Sequence, residues 1–459
     1  MSRSNKSAGV SRRQLLQGAT TAAAVLGISS FGSSTSFAAD SLVIPTTSAD
    51  IAKYTAGTIP KGTIQNAGRT IGANDKLKIG VIGVGGQGFG AHVKGLMKHA
   101  SENNIEVIAA CDVYTPRMDR AGKEISVDGA PKPQIEKDYR RLLDNKDIDA
   151  VVVATPEHWH AQICLHAMEA GKHVYCEKPM TRYADEAFQL VDTQKRTGKI
   201  FQLGIQFTSD PKMHAVGEYI RSGKIGPLIA GQSSYCRNAG PKGEWNYGID
   251  DGAGPDNLDW DLWLGSAPKR KWDDDAKSRF FRYRKYWDYS AGILGDLMPH
   301  RMGPFLIASG FPEYPTRVTS IGNRKVSLDR EVDDNVQVMA EFPSGWTMVF
   351  NGSTVNEQGL PDLFRGHKAS VHFGGAGAVA KPERPFAEDM EETIITKGGG
   401  HSIPLHHKNW FDAIRTGAVL NCSVELGAKV QTILAMAEMS SRTNRMMQFD
   451  EATRTIKAG

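Results

Sequence analysis

Residues 79–88 read Ile79-Gly-Val-Ile-Gly-Val-Gly-Gly-Gln-Gly88, a short apolar run that passes straight into Gly83-x-Gly85-x-x-Gly88. This stretch constrains the fold more than any other. It calls for a strand, a tight turn and a helix in that order, with the first N–H groups of the helix free to hold a pyrophosphate. The three glycines serve the turn, the close approach of ligand oxygens to the backbone, and the packing of helix on strand. In a chain with 48 glycines one such match carries little weight. The next strand pattern, Glu106-Val-Ile-Ala-Ala-Cys-Asp112, adds to it by ending in a carboxylate 24 residues after Gly88, where the ribose hydroxyls of an adenosine would lie. Together they predict a dinucleotide site made by Gly83, Gly85, Gly86, Gln87, Gly88 and Asp112. A carboxylate there repels a 2′-phosphate and favours NAD over NADP, although Arg117 lies five residues on.

From Leu77 the pattern alternates between strand and helix. Strands are predicted at Leu77–Val84, Ile105–Cys111, Ile148–Ala154, His173–Cys176 and Ile200–Ile205. Helices are predicted at His160–Ala170, stopped by Gly171, and at Asp185–Thr197. This is the rhythm of a doubly wound parallel sheet with ligands at the carboxyl ends of its strands. Beyond Gln206 period-two strands appear at Val318–Ile321, Val336–Phe342 and Trp346–Gly352, with Pro343-Ser-Gly345 as a hairpin turn. A further strand is predicted at Ala369–Phe373, and helices at His214–Ser222, His407–Arg415 and Leu426–Arg442. The fold class is therefore α/β: a dinucleotide-binding Rossmann domain over 76–206, then an α/β domain over 207–459 with an open, mostly antiparallel sheet, suited to substrate binding and oligomerisation.

The first 38 residues stand apart. Ser11-Arg12-Arg13-Gln14-Leu15-Leu16, a mild apolar stretch from Ala19 to Ile28, and Ser36-Phe37-Ala38 read as a twin-arginine signal with a small-residue cleavage site. The apolar run is too short to span a bilayer. Residues 39–75 read as an extended polar arm. Removing the signal takes away Arg3, Lys6, Arg12 and Arg13, so that 51 basic residues face 51 acidic ones and the formal charge of +4 falls to zero. A neutral chain of this kind points to no nucleic acid and no anionic membrane as partner. Five cysteines without metal-type spacing argue against a disulfide framework or structural zinc, and Cys111 and Cys176 read as inert buried thiols. The signal predicts export to the periplasm, and free nicotinamide nucleotide is scarce outside the cytoplasm. A dinucleotide is therefore expected to stay bound and to be restored within the catalytic cycle or by a second substrate.

Three clusters carry candidate chemistry. Ala154-Thr155-Pro156-Glu157-His158-Trp159-His160 and Glu177-Lys178-Pro179 each follow a predicted strand at the cofactor edge of the sheet. Lys178, between a strand and a proline, can point at the cofactor face and stabilise a developing alkoxide, with a solvated loop lysine the alternative. In the third, Asp296 and His300 are four residues apart. On a helix they would share a face and let the carboxylate orient the imidazole as a general base, with Pro299 the obstacle to a regular helix and a structural pair the alternative. His158 and His160, spaced i,i+2 without Cys or carboxylate partners, do not make a metal site. Rings and donors between Trp245 and Trp287, among them Tyr283 and Trp287, are candidates for a sugar pocket, with core packing the alternative. His406 and His407 read as surface or structural residues.

In this order the motifs resemble the glucose-fructose oxidoreductase/inositol dehydrogenase/rhizopine-catabolism (Gfo/Idh/MocA) family, over roughly residues 76–459. The resemblance implies Lys178 as the polarising donor, His300 as the base, and Asp296 as its partner or as an acceptor for a substrate hydroxyl. It also implies NAD contacts from Thr155, Pro156, His160, Glu177, Lys178 and Gln206, a carbohydrate or polyol substrate, and a homodimer or homotetramer. Exported relatives include enzymes that keep their nucleotide, and glycosidases that oxidise, eliminate and reduce in turn. The N-acetylgalactosaminidases of the latter kind usually depart from Glu-Lys-Pro, which is intact here.

Overall fold

The computed structural model describes residues 71–459 apart from 73, 127, 129, 130 and 376. The signal and all but the last few residues of the predicted arm lie outside the described residues. Six strands form the first sheet: β1 (Leu77–Ile82), β2 (Ile105–Cys111), β3 (Gln134–Glu136), β4 (Ala150–Val153), β5 (His173–Glu177) and β6 (Phe201–Gly204). Their order is β3-β2-β1-β4-β5-β6 and every neighbouring pair is parallel. The reversal of order between β1 and β4 opens a crevice at the carboxyl ends of the strands, where doubly wound sheets bind ligands. β4 reads Ala-Val-Val-Val and is buried throughout because helices cover both faces of a parallel sheet. Each such valine contributes on the order of 1.5 kcal/mol or more. Gly171 (φ 80°) follows the helix Glu157–Glu169 in the left-handed conformation expected of a helix stop.

The glycine turn closes as its sequence requires. Gly83 has φ 85°, and a Cβ there would come within 2.7 Å of the Ala154 and Thr155 backbone. A Cβ on Gly88 would collide with the Gly83 carbonyl oxygen. The following helix begins with wide π-type turns over Gly88–Lys94 and continues as α-helix over Gly95–Lys98.

Ten strands form the second sheet: β7 (Leu228–Cys236), β8 (Arg317–Asn323), β9 (Asn335–Glu341), β10 (Thr347–Ser353), β11 (Leu363–Gly366), β12 (Ala369–Gly374), β13 (Gly377–Pro382), β14 (Thr393–Thr396), β15 (Met447–Asp450) and β16 (Thr455–Ala458). The order is β14-β13-β12-β11-β7-β10-β9-β8-β15-β16, antiparallel except for β7 beside β10. β9 alternates as predicted, with Val336, Val338 and Ala340 buried and Gln337 and Met339 facing out. The β9–β10 hairpin turns through Gly345 at φ 87°, whose N–H donates to Phe342 O at 2.9 Å.

Two later helices pack back against the first domain. Helix Val424–Thr443 packs against β8 and also against the helix Ala184–Thr197. Helix Ile403–Thr416 inserts Trp410 and Phe411 into the first sheet's core beside Leu77, Ile79 and Tyr175. The excursion between β7 and β8 carries a third core of stacked aromatics, including Trp260 and Trp263 with ring centroids 4.8 Å apart. It reaches back to the end of β2, where Thr115 N–H donates to Asn257 O at 2.9 Å and Asp259 N–H to Val113 O at 3.0 Å.

Candidate active site

A cavity of about 700 Å³ runs along the carboxyl ends of the first sheet and under this excursion. Its nucleotide end is walled by Gly85, Gly86, Gln87 and Asp112. The Asp112 carboxylate accepts from Val84 N–H (3.0 Å) and Tyr114 N–H (3.1 Å), so the strand end and the glycine turn share one anchor. Arg117 lies 4.0 Å from Asp112 and stacks at 4.6 Å on the ring of Phe280, which reaches over from the excursion. Tyr114, next to Asp112, donates its hydroxyl to Asp250 at 2.5 Å. Gly88 and His160 do not line the cavity. Gly88 is the packing glycine. His160 is buried with Nδ1 at 2.7 Å from Pro179 O and Nε2 at 2.8 Å from Thr155 O, so it joins the two motif loops from behind instead of facing a ligand.

At the other end Lys178, Asp296 and His300 share the wall. Asp296 is the hub. Its Oδ1 accepts from Lys178 Nζ at 2.6 Å and Arg284 Nε at 2.9 Å, and its Oδ2 from Trp245 Nε1 at 2.8 Å. Arg237, also on the wall, lies 3.8 Å away. Burial pushes the Asp296 carboxyl up, but the charges of Arg284 and Lys178 outweigh it and hold the group well below the usual carboxylate range. The expected pairing of Asp296 with His300 does not form. The helix Ile293–Asp296 ends before Leu297, and a new one starts at Pro299, so the two side chains do not sit one turn apart on one helix. Among the described residues His300 Nδ1 has no hydrogen-bond partner. Burial, then the Lys178 charge, push the imidazole down to about 3, so it is neutral at neutral pH.

Glu177 and Gln206 also line the cavity, as do Thr155 and Pro156. Glu177 Oε1 accepts from Gln87 Nε2 at 3.0 Å. Of the two aromatic candidates Tyr283 lines the cavity and Trp287 does not. Trp287 donates Nε1–H to Glu331 O and packs under Arg442 at 4.8 Å, a structural role. His406 and His407, expected at a surface or in a structural role, are buried. Sequence reasoning missed His92 and Arg237, neither of which belongs to a recognisable motif; the only signal for His92 was its place one turn beyond Gly88.

The cavity fits a dinucleotide. Gly85 and Gly86 put backbone without side chains on the wall, with open space where a Cβ of Gly86 would stand, Asp112 closes the adenosine end, and the buried Thr155 Oγ1 has no hydrogen-bond partner among the described residues. The fold and this cradle define a two-domain, dinucleotide-binding α/β protein. Residues 77–205 match the oxidoreductase family described as an NAD-binding Rossmann fold, and residues 245–458 match its C-terminal alpha/beta domain. The chain belongs to the Gfo/Idh/MocA oxidoreductase family, and its first domain is that family's NAD-binding domain.

Solved structures share the fold. One is a levoglucosan dehydrogenase in complex with NADH and levoglucosan, with a TM-score of 0.61 and 18% identity, covering 82% of this chain and 99% of that one. Another is the WlbA dehydrogenase from Bordetella pertussis in complex with NADH and UDP-GlcNAcA, with a TM-score of 0.60, 17% identity and coverage of 82% and 99%. Among curated relatives, a glycosyl hydrolase family 109 protein of Shewanella pealeana is 35% identical over 167 residues, 35% of each chain. The chain thus spans about a third of the length of the curated relatives it matches.

Proposed function

We propose that this protein is an NAD-dependent oxidoreductase acting on a hydroxyl of a sugar, polyol or glycoside, and that it keeps its nucleotide through the cycle. The observation that carries the reading is the placement of Lys178 and His300 on one cavity wall that runs on to the glycine turn. Gly85, Gly86, Gln87 and Asp112 would hold the adenosine and pyrophosphate; Thr155, Pro156, Glu177 and Gln206 would hold the nicotinamide riboside. Bound there, NAD supplies reversible two-electron oxidation of a carbinol carbon. Lys178, anchored by Asp296, puts an ammonium beside the oxygen that develops negative charge. Neutral His300, with an unshared Nδ1, takes the hydroxyl proton. Tyr283 and Arg284 offer a ring face and donors to the rest of the ring.

Retention is supported by the excursion over the adenosine end, which is bound by two backbone hydrogen bonds at residues 113–115 and by the Phe280–Arg117 stack. The twin-arginine segment fits the same picture, because export would take the protein to a periplasm where free nicotinamide nucleotide is scarce. A homodimer or homotetramer completes the proposal. The name of the curated relatives favours a second reading, in which transient oxidation drives elimination and cleavage of a glycoside.

The test is to denature the purified mature protein, identify the nucleotide released, and screen sugars and glycosides by nicotinamide absorbance. A ketosugar with accumulating NADH supports the dehydrogenase. Free sugar with solvent deuterium at C2 and no net NADH supports the glycosidase, and the absence of any nucleotide defeats both. Under either reading Lys178→Ala loses about 100-fold or more in kcat; full turnover in that variant would remove its assigned role.

A further inference from the structure

One buried cluster of titratable groups lies behind the cavity wall and takes no part in the chemistry above. His92, on the helix after the glycine turn, is fully buried. Its Nε2 lies 2.9 Å from Glu177 Oε1, and its Nδ1 lies 3.1 Å from Nε2 of His407 on the helix Ile403–Thr416. A carboxylate only accepts, so His92 Nε2 donates to Glu177, and the two imidazoles share one proton between Nδ1 and Nε2. Tyr175 packs edge-on against both rings, at 5.3 and 4.8 Å, and fixes their planes. Glu177 Oε1 therefore takes two donors, from His92 and Gln87, while among the described residues Oε2 has a single long contact, 3.3 Å, to the N–H of Lys178.

We propose that His92 and His407 are positioning residues that keep Glu177 an anion and leave its Oε2 to accept from the nicotinamide riboside. The inference rests on the cofactor reading above and adds to it two residues outside every motif. A buried carboxyl without such a partner takes up a proton, and a protonated Glu177 would present a donor where an acceptor is needed. The titratable groups that face Glu177 are His92 from the first helix, Tyr175 and Lys178 from its own strand and loop, His300 from the helix Pro299–Ala308, and His406 and His407 from the helix Ile403–Thr416. His300, His406 and His407 are driven neutral, first of all by burial. Lys178 is bound to Asp296. His92 is thus the main support of the anion. Burial pushes the Glu177 carboxyl up, and the hydrogen bond and charge of His92, ahead of Lys178 and Gln87, bring it well below the ordinary range.

The experiment loads the mature protein with NADH, dilutes it, and follows release by fluorescence between about pH 5.5 and pH 8 in wild type, His92→Leu and His92→Gln. Wild type should release NADH at a rate that does not depend on pH. His92→Leu should release it about 10-fold faster or more at the acid end, where an unsupported Glu177 protonates, while His92→Gln, which still donates an N–H, stays within about 3-fold of wild type. A pH-independent rate in His92→Leu overturns the proposal, as does an equal, pH-independent acceleration in both variants, which would mark His92 as packing alone. Should His92→Leu not fold, His407→Leu carries the same test, with a smaller acid-side acceleration of about 3-fold expected and a pH-independent rate overturning it. A wild type that holds no NADH at any pH overturns the cofactor reading as well; a wild type that holds it and a His92→Leu that matches it overturn this inference alone.

Discussion

Asp296→Asn tests how the reacting end is held. The carboxylate takes Lys178, Arg284 and Trp245 at 2.6, 2.9 and 2.8 Å, and the side chains of Lys178 and Asp296 are only 9% and 10% exposed. An amide offers one acceptor. With its oxygen toward Lys178 and Arg284, its NH₂ group confronts the indole N–H, which is left unpaired at a cost of about 1–3 kcal/mol. Both cations also lose their shared countercharge, and removing one partner of a buried ion pair costs about 3–5 kcal/mol. The two costs overlap, so a net loss of about 4 kcal/mol is expected in urea unfolding. Lys178 keeps its bond to the Asp296 carbonyl at 2.9 Å, but without the carboxylate it is no longer fixed, and kcat should fall about 100-fold. Arg284→Met in the Asp296→Asn background removes one orphaned cation and should restore about half of the lost stability. The Asp296 carboxyl is depressed in the fold, so its contribution is full above the unfolded value of about 3.9 and fades only as pH falls below that, through the depressed folded value. At neutral pH the comparison is therefore free of its titration. A change of less than about 1 kcal/mol, or no recovery in the double variant, would refute the hub argument.

Three further expectations bear on other parts of the molecule. His300 sits near 3 in the fold against about 6.5 unfolded, so the unfolded chain binds the extra proton and wild type loses stability as pH falls from 6.5 toward 3. His300→Gln lacks that loss, and unfolding curves of equal pH slope for the two proteins would contradict the assignment. Gly88→Ala drives a methyl into the Gly83 carbonyl, at a cost of about 1–3 kcal/mol, and the purified variant should carry no nucleotide; full occupancy would show that the turn tolerates a side chain. Phe280→Ala, which removes the stack on Arg117, should cost about 3–5 kcal/mol and speed nucleotide release about 10-fold, and an unchanged release rate would mean that the excursion does not retain the cofactor.

Elements governed by local pattern were legible in the sequence. The continuous Val151–Val153 run and the alternating Val336–Ala340 run each bury the faces that their periods dictate. β7 was missed because Gly231, Gln232, Ser233 and Ser234 interrupt any apolar alternation, and the strand is held by its neighbours on both sides. β13 to β16 are short strands toward the sheet's edges, where half-exposure blurs the period. At the site the motifs located Lys178, Asp296 and His300, but not who bonds to whom. Asp296 turns to Lys178, Arg284 and Trp245, and no spacing rule relates a carboxylate to partners 118, 12 and 51 positions away. His160, which the resemblance set against the cofactor, and Trp287, a sugar-pocket candidate with core packing as its alternative, both lie off the cavity, since neither residue type nor spacing distinguishes the front of a wall from its back.

The insertion of Trp410 and Phe411 beneath the first sheet bears on how the chain matures. These rings complete a core whose other members, Leu77, Ile79 and Val81, emerge more than three hundred positions earlier during synthesis. A nascent chain that has reached only β6 has its parallel strands but an open hydrophobic underside, and such long-range closure is slow and leaves partly built intermediates prone to aggregate. The glycine turn sits on that unfinished sheet. The cradle for the nucleotide therefore rests on a core that closes only once residues 410 and 411 have been added, late in synthesis.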